Sequence, residues 1–358
     1  MEPRHGATYA QILALARATD EAGFDAFFRS DHLFGVNPDD PTYRPTECWT
    51  TLAGLARETS RIRLGTLVTA ATMRQPGQLA AMVATVDEMS GGRVEFGIGT
   101  GWYQREHEAF GVPFPPIRER FDKLEEQLAI ITGLWRTEPG ARPGFSFTGK
   151  HYTVTENHIP PRPAQRPHPP IIIGGTGPKR TPAIAARFAD EFNGALSDDL
   201  RESFDRFDRA CEQIGRDPTT ARHSAVLPVA CGATIAEVDR RGAVIGSEFI
   251  RAHAAIGSPA LVADRVADQV EAGADTIYFH IYDIEDLDHI ALLGALSGSS
   301  PGPPATPAGA IPPGGSGGDG LGEAEVRQEL PAPGASQRAP ASKERTLGAG
   351  TRNSGEHR

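Results

Sequence analysis

The sequence predicts an α/β fold, a (β/α)8 TIM barrel in which no first strand is recognisable. Three observations carry this reading. Short apolar runs alternate with amphipathic segments of helical period, which implies a parallel sheet with right-handed crossovers. The alternation ends near residue 296 of 358, within the usual size of a closed barrel. The competing doubly wound sheet requires a glycine fingerprint for a dinucleotide in its first βα turn, and none is present.

The elements follow in order. Residues 8–22 place Ile12, Leu13, Leu15 and Ala16 at helical spacing, and Gly23 closes that helix as a C′ glycine. A short strand over 25–30 leads to a helix over 46–59, entered through Thr46 with Glu47 in its first turn. Next come a strand over 63–69, a helix over 75–89, and a glycine turn at 91–92 into a strand that ends at Gly99. The helix over 117–135 sets Phe121, Leu124, Leu128, Ile131 and Leu134 on one stripe. A β-like insertion at 145–154 precedes a fully apolar strand, Ile171, Ile172 and Ile173. Strands near 192–195, 224–231 and 276–281 alternate with helices near 199–214, 234–254, 258–272 and 285–296.

This gives seven strands, none of them before the first helix, because residues 1–7 hold no β-branched or aromatic run. An open seam leaves unpaired backbone groups on two strands, so a misassigned start is expected in preference to a working seven-stranded barrel. The barrel domain is expected over 1–296, with an insertion about 103–168. Residues 297–358 are dominated by Gly, Pro, Ala, Ser and charge, and are expected to be disordered because so little apolar surface cannot offset chain entropy.

Composition excludes several classes. A net charge of −10 argues against a general nucleic-acid binder, which needs a basic face. Cys48, Cys211 and Cys231 show no C-x-x-C spacing, so neither a disulfide framework nor a metal site is expected. The N-terminus has no apolar leader and no run approaches a membrane span, so a cytoplasmic, soluble protein is expected.

Two places carry chemistry. After the strand of isoleucines, Gly174, Gly175 and Gly177 allow a close backbone approach, and Pro178 suits the first turn of a helix running from Lys179. Strand, turn and helix N-terminus would form an anion cradle, strengthened by Lys179 and Arg180. The competing reading is an ordinary βα turn that needs glycine. It is not a Walker A loop, since no Gly-Lys-Ser/Thr follows. Asp31 and His32 sit just past a strand's C-terminal end, where barrel enzymes place their chemistry, and a histidine there can handle a proton. The competing reading is a loop in which Asp31 caps local backbone.

Ser30-Asp31-His32, the stretch from Leu64 to Thr69, Gly97-Ile-Gly-Thr-Gly-Trp102 with Arg105-Glu-His107, Ser90-Gly-Gly-Arg93 and Gly174-Gly-Thr-Gly177 occur in order and at sensible spacing. As a set they resemble the luciferase-like monooxygenase superfamily, and more closely its branch dependent on the deazaflavin coenzyme F420. The likeness covers roughly residues 8–295. It implies a barrel, with Asp31 and His32 beside the deazaflavin ring: His32 as proton donor or ring-positioning group, Asp31 orienting it. It also implies a bulge with a non-prolyl cis peptide at Leu67 and Val68 behind the ring, with the Thr69 hydroxyl offered at the strand end. Trp102 would wall the pocket and Arg105 would meet a coenzyme oxygen. Gly174, Gly175, Thr176 and Gly177, with Thr181, would hold the coenzyme phosphate, while Tyr103 and His280 would face substrate. For His280, a core histidine is the competing reading.

The chain departs from the sugar-phosphate dehydrogenases of that branch, which carry a glutamate where Trp102 stands, and from nearer relatives that often have Asn at Tyr103. Glu106, His107 and Glu108 read as a solvated loop and not as metal ligands. Phe145, Phe147 and Tyr152 read as packing a lid that closes over substrate. The function expected is F420-dependent hydride transfer to or from a small organic substrate, by a homodimer, as is usual in the family. The alternatives are an FMN-dependent two-component monooxygenase, in which reduced flavin activates oxygen, and a flavin-binding protein without catalysis.

Overall fold

Caps and glycines set the element boundaries in the computed structural model, which describes residues 6–34, 45–197 and 199–296; the tail expected over 297–358 lies outside them. Helix α1 (Tyr9–Glu21) opens with a capping box, the Thr8 hydroxyl on the Gln11 amide and the Gln11 side chain on the Thr8 amide at 2.8 Å. Gly23, at φ 87°, follows its end. After β1 (Ala26–Arg29) comes α2 (Cys48–Glu58), which is capped by the Glu47 carboxylate on the Thr50 amide at 2.6 Å. Glu47 is therefore the cap and not a first-turn residue. Strands β2 (Arg63–Thr66) and β3 (Thr69–Ala70) replace the single expected strand, and α3 (Pro76–Ser90) runs from an N-terminal proline to Gly91 at φ 70°.

Strand β4 (Val94–Gly99) leads into a short unforeseen helix α4 (Gln104–Ala109) and the long α5 (Ile117–Arg136). Strands β5 (Phe145–Thr148) and β6 (Thr153–Asn157) pair antiparallel as a hairpin. Then follow β7 (Ile171–Gly174), α6 (Arg180–Phe188), β8 (Glu191–Asn193), α7 (Leu200–Gln213) and β9 (Arg222–Cys231). Pro178 stays outside α6, whose N-cap is Lys179. The helix expected over 234–254 is two, α8 (Ile235–Ala243) and α9 (Glu248–His253), because Ser247 starts a new cap on the Ile250 amide after Gly246. Strand β10 (Ala255–Gly257), also unforeseen, precedes α10 (Pro259–Glu271), β11 (Thr276–His280) and α11 (Leu287–Leu296).

The parallel sheet curls in the order β1-β2-β4-β7-β8-β9, with β11 beside β9. Besides β8, strand β9 is long enough to serve two further neighbours: residues 224–228 pair with β11, and 229–231 pair with β10. Among the described residues no ladder joins β1 to β11, so the open seam expected from the sequence lies between them. Side chains bridge it, Phe28 to Tyr278 at 4.9 Å and Phe24 to Phe279 at 6.1 Å between ring centroids. Aromatic side chains fill the space between sheet and helices: Phe96 of β4 meets Trp49 of α2 and Trp135 of α5 at 6.0 and 5.7 Å. The Trp135 indole N–H is satisfied by the Ala80 carbonyl at 3.0 Å. Among the described residues no helix is long and apolar enough to cross a membrane.

Two glycines separate packing from propensity. A Cβ on Gly97 would lie 1.9 Å from the Thr66 carbonyl oxygen, whereas one on Gly77, in the exposed first turn of α3, would meet nothing within 4 Å. Gly97→Ala is expected to cost at least about 3 kcal/mol, and Gly77→Ala to stabilise by up to about 1 kcal/mol, both read by urea denaturation.

The buried His289 of α11 accepts the Cys231 amide on Nε2 at 3.0 Å. Burial, helped by Arg241, lowers its pKa to about 4. The unfolded chain takes up this proton first, near pH 6.5, so the stabilisation is full above that pH and is lost as pH falls towards 4. In His289→Gln, stability measured by denaturant titration should fall less steeply across this window, by up to about 3 kcal/mol in total.

Candidate active site

The C-terminal ends of the strands enclose a cavity of about 730 Å³, within the usual range for small-ligand sites. Asp31, His32, Leu67, Val68, Trp102 and Tyr103 line it, together with the segment from Gly174 to Gly177, Thr181 and His280. Sequence reasoning thus brought together residues from β1, β2, β4, β7 and β11 that the fold does assemble.

Asp31 is 5% exposed and forms a two-pronged pair with Arg74, at 2.5 and 3.0 Å. Arg74 also reaches Glu47 at 2.6 Å, which ties the loop after β1 to the cap of α2. Burial alone would lower the Arg74 pKa, but the two carboxylates reverse this and raise it. Burial likewise acts to raise Glu47, and the Thr50 amide and Arg74 bring it below the ordinary carboxylate range. Neighbouring Arg29, wholly buried, spends its guanidinium on Thr46, at 2.7 Å to the carbonyl and 3.0 Å to the hydroxyl.

The expected pairing of Asp31 with His32 is corrected by this geometry: Asp31 turns to Arg74, and the His32 Nδ1 lies 3.2 Å from Glu106. Glu106 also accepts the Leu33 amide, and the Phe34 amide at 3.0 Å. The solvated loop expected at 106–108 is corrected with it, since Glu106 and His107 are buried on α4. His107 is held between the Thr72 hydroxyl on Nε2 at 2.7 Å and the Tyr103 carbonyl on Nδ1 at 2.8 Å. Only Glu108 of the three is exposed, bonded to Gln104.

Leu67 and Val68 reach the cavity and are joined by a non-prolyl cis peptide. Thr69 does not reach it. Fully buried, its hydroxyl donates to Thr66 Oγ1 at 3.2 Å and accepts the Trp49 indole N–H at 3.1 Å. Arg105 is likewise displaced from its expected place: it is exposed, with its guanidinium 6.0 Å from the Phe34 ring centre and off the cavity wall. Phe34 is also off the wall. Trp102 is 63% exposed and stacks on Tyr103 at 5.2 Å, both meeting the His32 ring edge-on at 5.7 and 6.0 Å. His280 is half-buried at the rim, its Nδ1 3.2 Å from the Tyr282 hydroxyl.

The glycine turn has the form of an anion cradle. Gly175 takes φ 143°, and a Cβ on Gly177 would stand 2.6 Å from the Thr181 hydroxyl. Among the described residues the Thr176 and Gly177 amides and the Thr181 hydroxyl make no hydrogen bond, although Thr181 is only 5% exposed. Arg180, expected to strengthen this cradle, pairs instead with Asp122 at 2.7 Å and Glu125 at 3.2 Å. The lid expected from the insertion is corrected too. The β5–β6 hairpin lies along α5, where the Glu126 carboxylate takes the Lys150, His151 and Tyr152 amides at 2.8–3.0 Å, and it does not border the cavity. The part that does is the run through α4 into α5, with Ile117, Phe121 and Leu124.

Sequence reasoning missed Glu106 and Arg74. Gly111, at φ 66° two residues past α4, is the signal that could have marked a helix through Glu106. Nothing local points to Arg74, which is 43 residues from its partner.

A family model described as luciferase-like monooxygenase matches residues 1–243. An F420-dependent glucose-6-phosphate dehydrogenase of Nakamurella multipartita is 36% identical over 183 residues, 51% of this chain and 51% of that protein. An F420-dependent hydroxymycolic acid dehydrogenase of Mycobacterium tuberculosis is 33% identical over 221 residues, 61% of this chain and 58% of the other. The chain therefore spans between 51% and 58% of the length of these two curated relatives. Among solved structures, an F420-dependent secondary alcohol dehydrogenase in complex with an F420-acetone adduct superposes with a TM-score of 0.70 at 18% identity, covering 81% of this chain and 94% of the other.

The Asp31–Arg74 pair yields a stability test. Arg74→Met should cost about 3–5 kcal/mol by stranding a buried carboxylate, and adding Asp31→Asn should recover part of that loss in denaturant titrations of the double variant.

Proposed function

Because the chain belongs to the luciferase-like monooxygenase family, we propose that it is an oxidoreductase that binds coenzyme F420 and exchanges a hydride with a small organic substrate. The observation that carries this reading is that one cavity is lined both by an anion cradle, whose Thr176 and Gly177 amides and Thr181 hydroxyl make no hydrogen bond among the described residues, and by His32 with the Leu67–Val68 pair. The donors fit the group. Among the described residues two backbone amides and a buried hydroxyl without hydrogen bonds suit a phosphate, and the apolar Leu67 and Val68 suit the face of a flat ring.

When bound, the coenzyme supplies a ring carbon that accepts or gives the hydride. The chain's own residues do the rest. Gly175, Thr176, Gly177 and Thr181 bind the phosphate and thereby set the depth of the ring. Leu67 and Val68 support one face of it. His32 gives or takes a proton at Nε2, and Trp102 and Tyr103 cover His32 and limit water. Trp102 stands where the resemblance places the glutamate of sugar-phosphate dehydrogenases, which supports a less polar alcohol or carbonyl as substrate. The expectation of a cytoplasmic homodimer remains part of this proposal.

Titration with F420 and, separately, with FMN tests it by fluorescence. F420 is expected to bind tightly and FMN weakly, and Thr181→Val should weaken F420 binding about tenfold, the worth of one hydrogen bond to a charged oxygen. Preference for FMN would favour the oxygen-dependent monooxygenase, and binding of neither would end the cofactor assignment.

A further inference from the structure

We propose that Glu106 is the positioning residue of the site, fixing which nitrogen of His32 faces the reaction. The inference rests on the reading of His32 as the proton-handling group. The Glu106 side chain is 2% exposed, and its two oxygens take three groups from one loop: His32 Nδ1 at 3.2 Å and the amides of Leu33 and Phe34. A carboxylate only accepts, so the ring nitrogen that faces it carries the hydrogen. The other nitrogen, Nε2, belongs to a ring on the cavity wall and makes no hydrogen bond among the described residues. Nε2 is thereby left with its lone pair towards substrate.

Three features make this arrangement stiff. The two amides hold the carboxylate itself, so it cannot turn away from the histidine. Trp102 and Tyr103 flank the imidazole edge-on and oppose a ring flip. Burial would favour a neutral acid, but the three donors hold the Glu106 pKa below the ordinary carboxylate range, so its charge persists. Asp31, the acid next to His32 in sequence, turns both its oxygens to Arg74. For an alcohol substrate, the hydroxyl proton passes to Nε2 while the carbon gives its hydride to the coenzyme, and the C–O bond becomes a carbonyl. The imidazolium left behind faces the Glu106 charge. In the reverse direction Nε2 returns the proton to the new hydroxyl.

Long-range proton–nitrogen correlation spectra of histidine-labelled protein test this without any cofactor, the His32 signals being assigned by their loss in His32→Gln. Wild-type protein above the pH of ring protonation is expected to show Nδ1 protonated and Nε2 bare. In Glu106→Gln the amide oxygen can still take the Leu33 and Phe34 amides, so the loop stays capped while the charge is gone, and the ring tautomer ratio should shift about tenfold. In turnover assays the same variant should lose at least about tenfold in kcat, with KM for the coenzyme changed less than about twofold, and it should add little to the loss in His32→Gln. Wild-type spectra with the proton on Nε2 overturn the proposal, whether or not the variant folds, and so does an unchanged tautomer ratio in Glu106→Gln. Failure of F420 to bind leaves the spectra readable, so the two proposals fail separately.

Discussion

The close approach of β2 and β4 at Gly97 is the constraint on which the site depends. The Thr66 carbonyl occupies the place a side chain would take at Gly97, and the Thr66 hydroxyl donates to the Gly97 carbonyl at 2.8 Å. One step further the pairing changes: Gly65 lies opposite Glu95, but Thr69 lies opposite Ile98. Residues 66–68 therefore face only 96–97, which is a bulge of one extra residue. That extra residue is what carries Leu67 and Val68 out of the ladder and into the cavity. Thr69 then rejoins the sheet with its hydroxyl spent on Thr66 and Trp49, so that hydroxyl is not stranded in an apolar wall.

The elements were legible where one physical signal dominates. Three consecutive isoleucines can only be accommodated with both faces covered, and Ile171, Ile172 and Ile173 are indeed buried at the sheet's centre. The stripe on α5 was equally plain. The strands and glycines that frame the cavity were legible for the same reason, since each lies at the end of an element with a clear period. What the sequence could not disclose is how the polar groups divide among themselves. Asp31 precedes His32 directly, yet backbone geometry sends the two side chains apart, and the acid that meets His32 lies 74 residues away. Helix α4 was missed because six residues with charge on both flanks show no apolar stripe, and β10 because three residues show no period at all. Arg105 and Thr69 had the right chemistry on the wrong face of their elements.

Charge is segregated along the barrel. At the floor, the Tyr278 hydroxyl donates to Glu191 at 2.7 Å, and Arg222 lies between Glu191 at 2.9 Å and Glu95 at 3.4 Å. Burial raises the pKa of both Glu191 and Tyr278, the reverse of what happens to Glu106. The difference is in the donors: Glu191 meets hydroxyls and a shared arginine, whereas Glu106 meets an imidazole and two fixed amides. The floor cluster sits at the end of the strands where barrels place stability, and the Glu106 cluster at the end where they place chemistry.

The same accounting decides what shields the cavity. Phe145 packs where a Cβ on Gly133 would otherwise stand, and Glu126 holds three amides of the hairpin turn, so swinging the hairpin over the mouth would strand a carboxylate and open a void in one step. Trp102 has no such side-chain ties among the described residues: it is mostly exposed and rests on Tyr103 by one face, while Arg120 holds the Gly101 carbonyl before it. A small rotation of the indole towards His32 would exchange solvent contact for apolar contact on its second face, which burial of aromatic surface favours. In the proposed reading, cover over the His32 Nε2 thus falls to a ring and not to a hairpin. On the same reading, the fit of a substrate against that flat apolar face, more than any charge at the rim, would decide how well water is kept out.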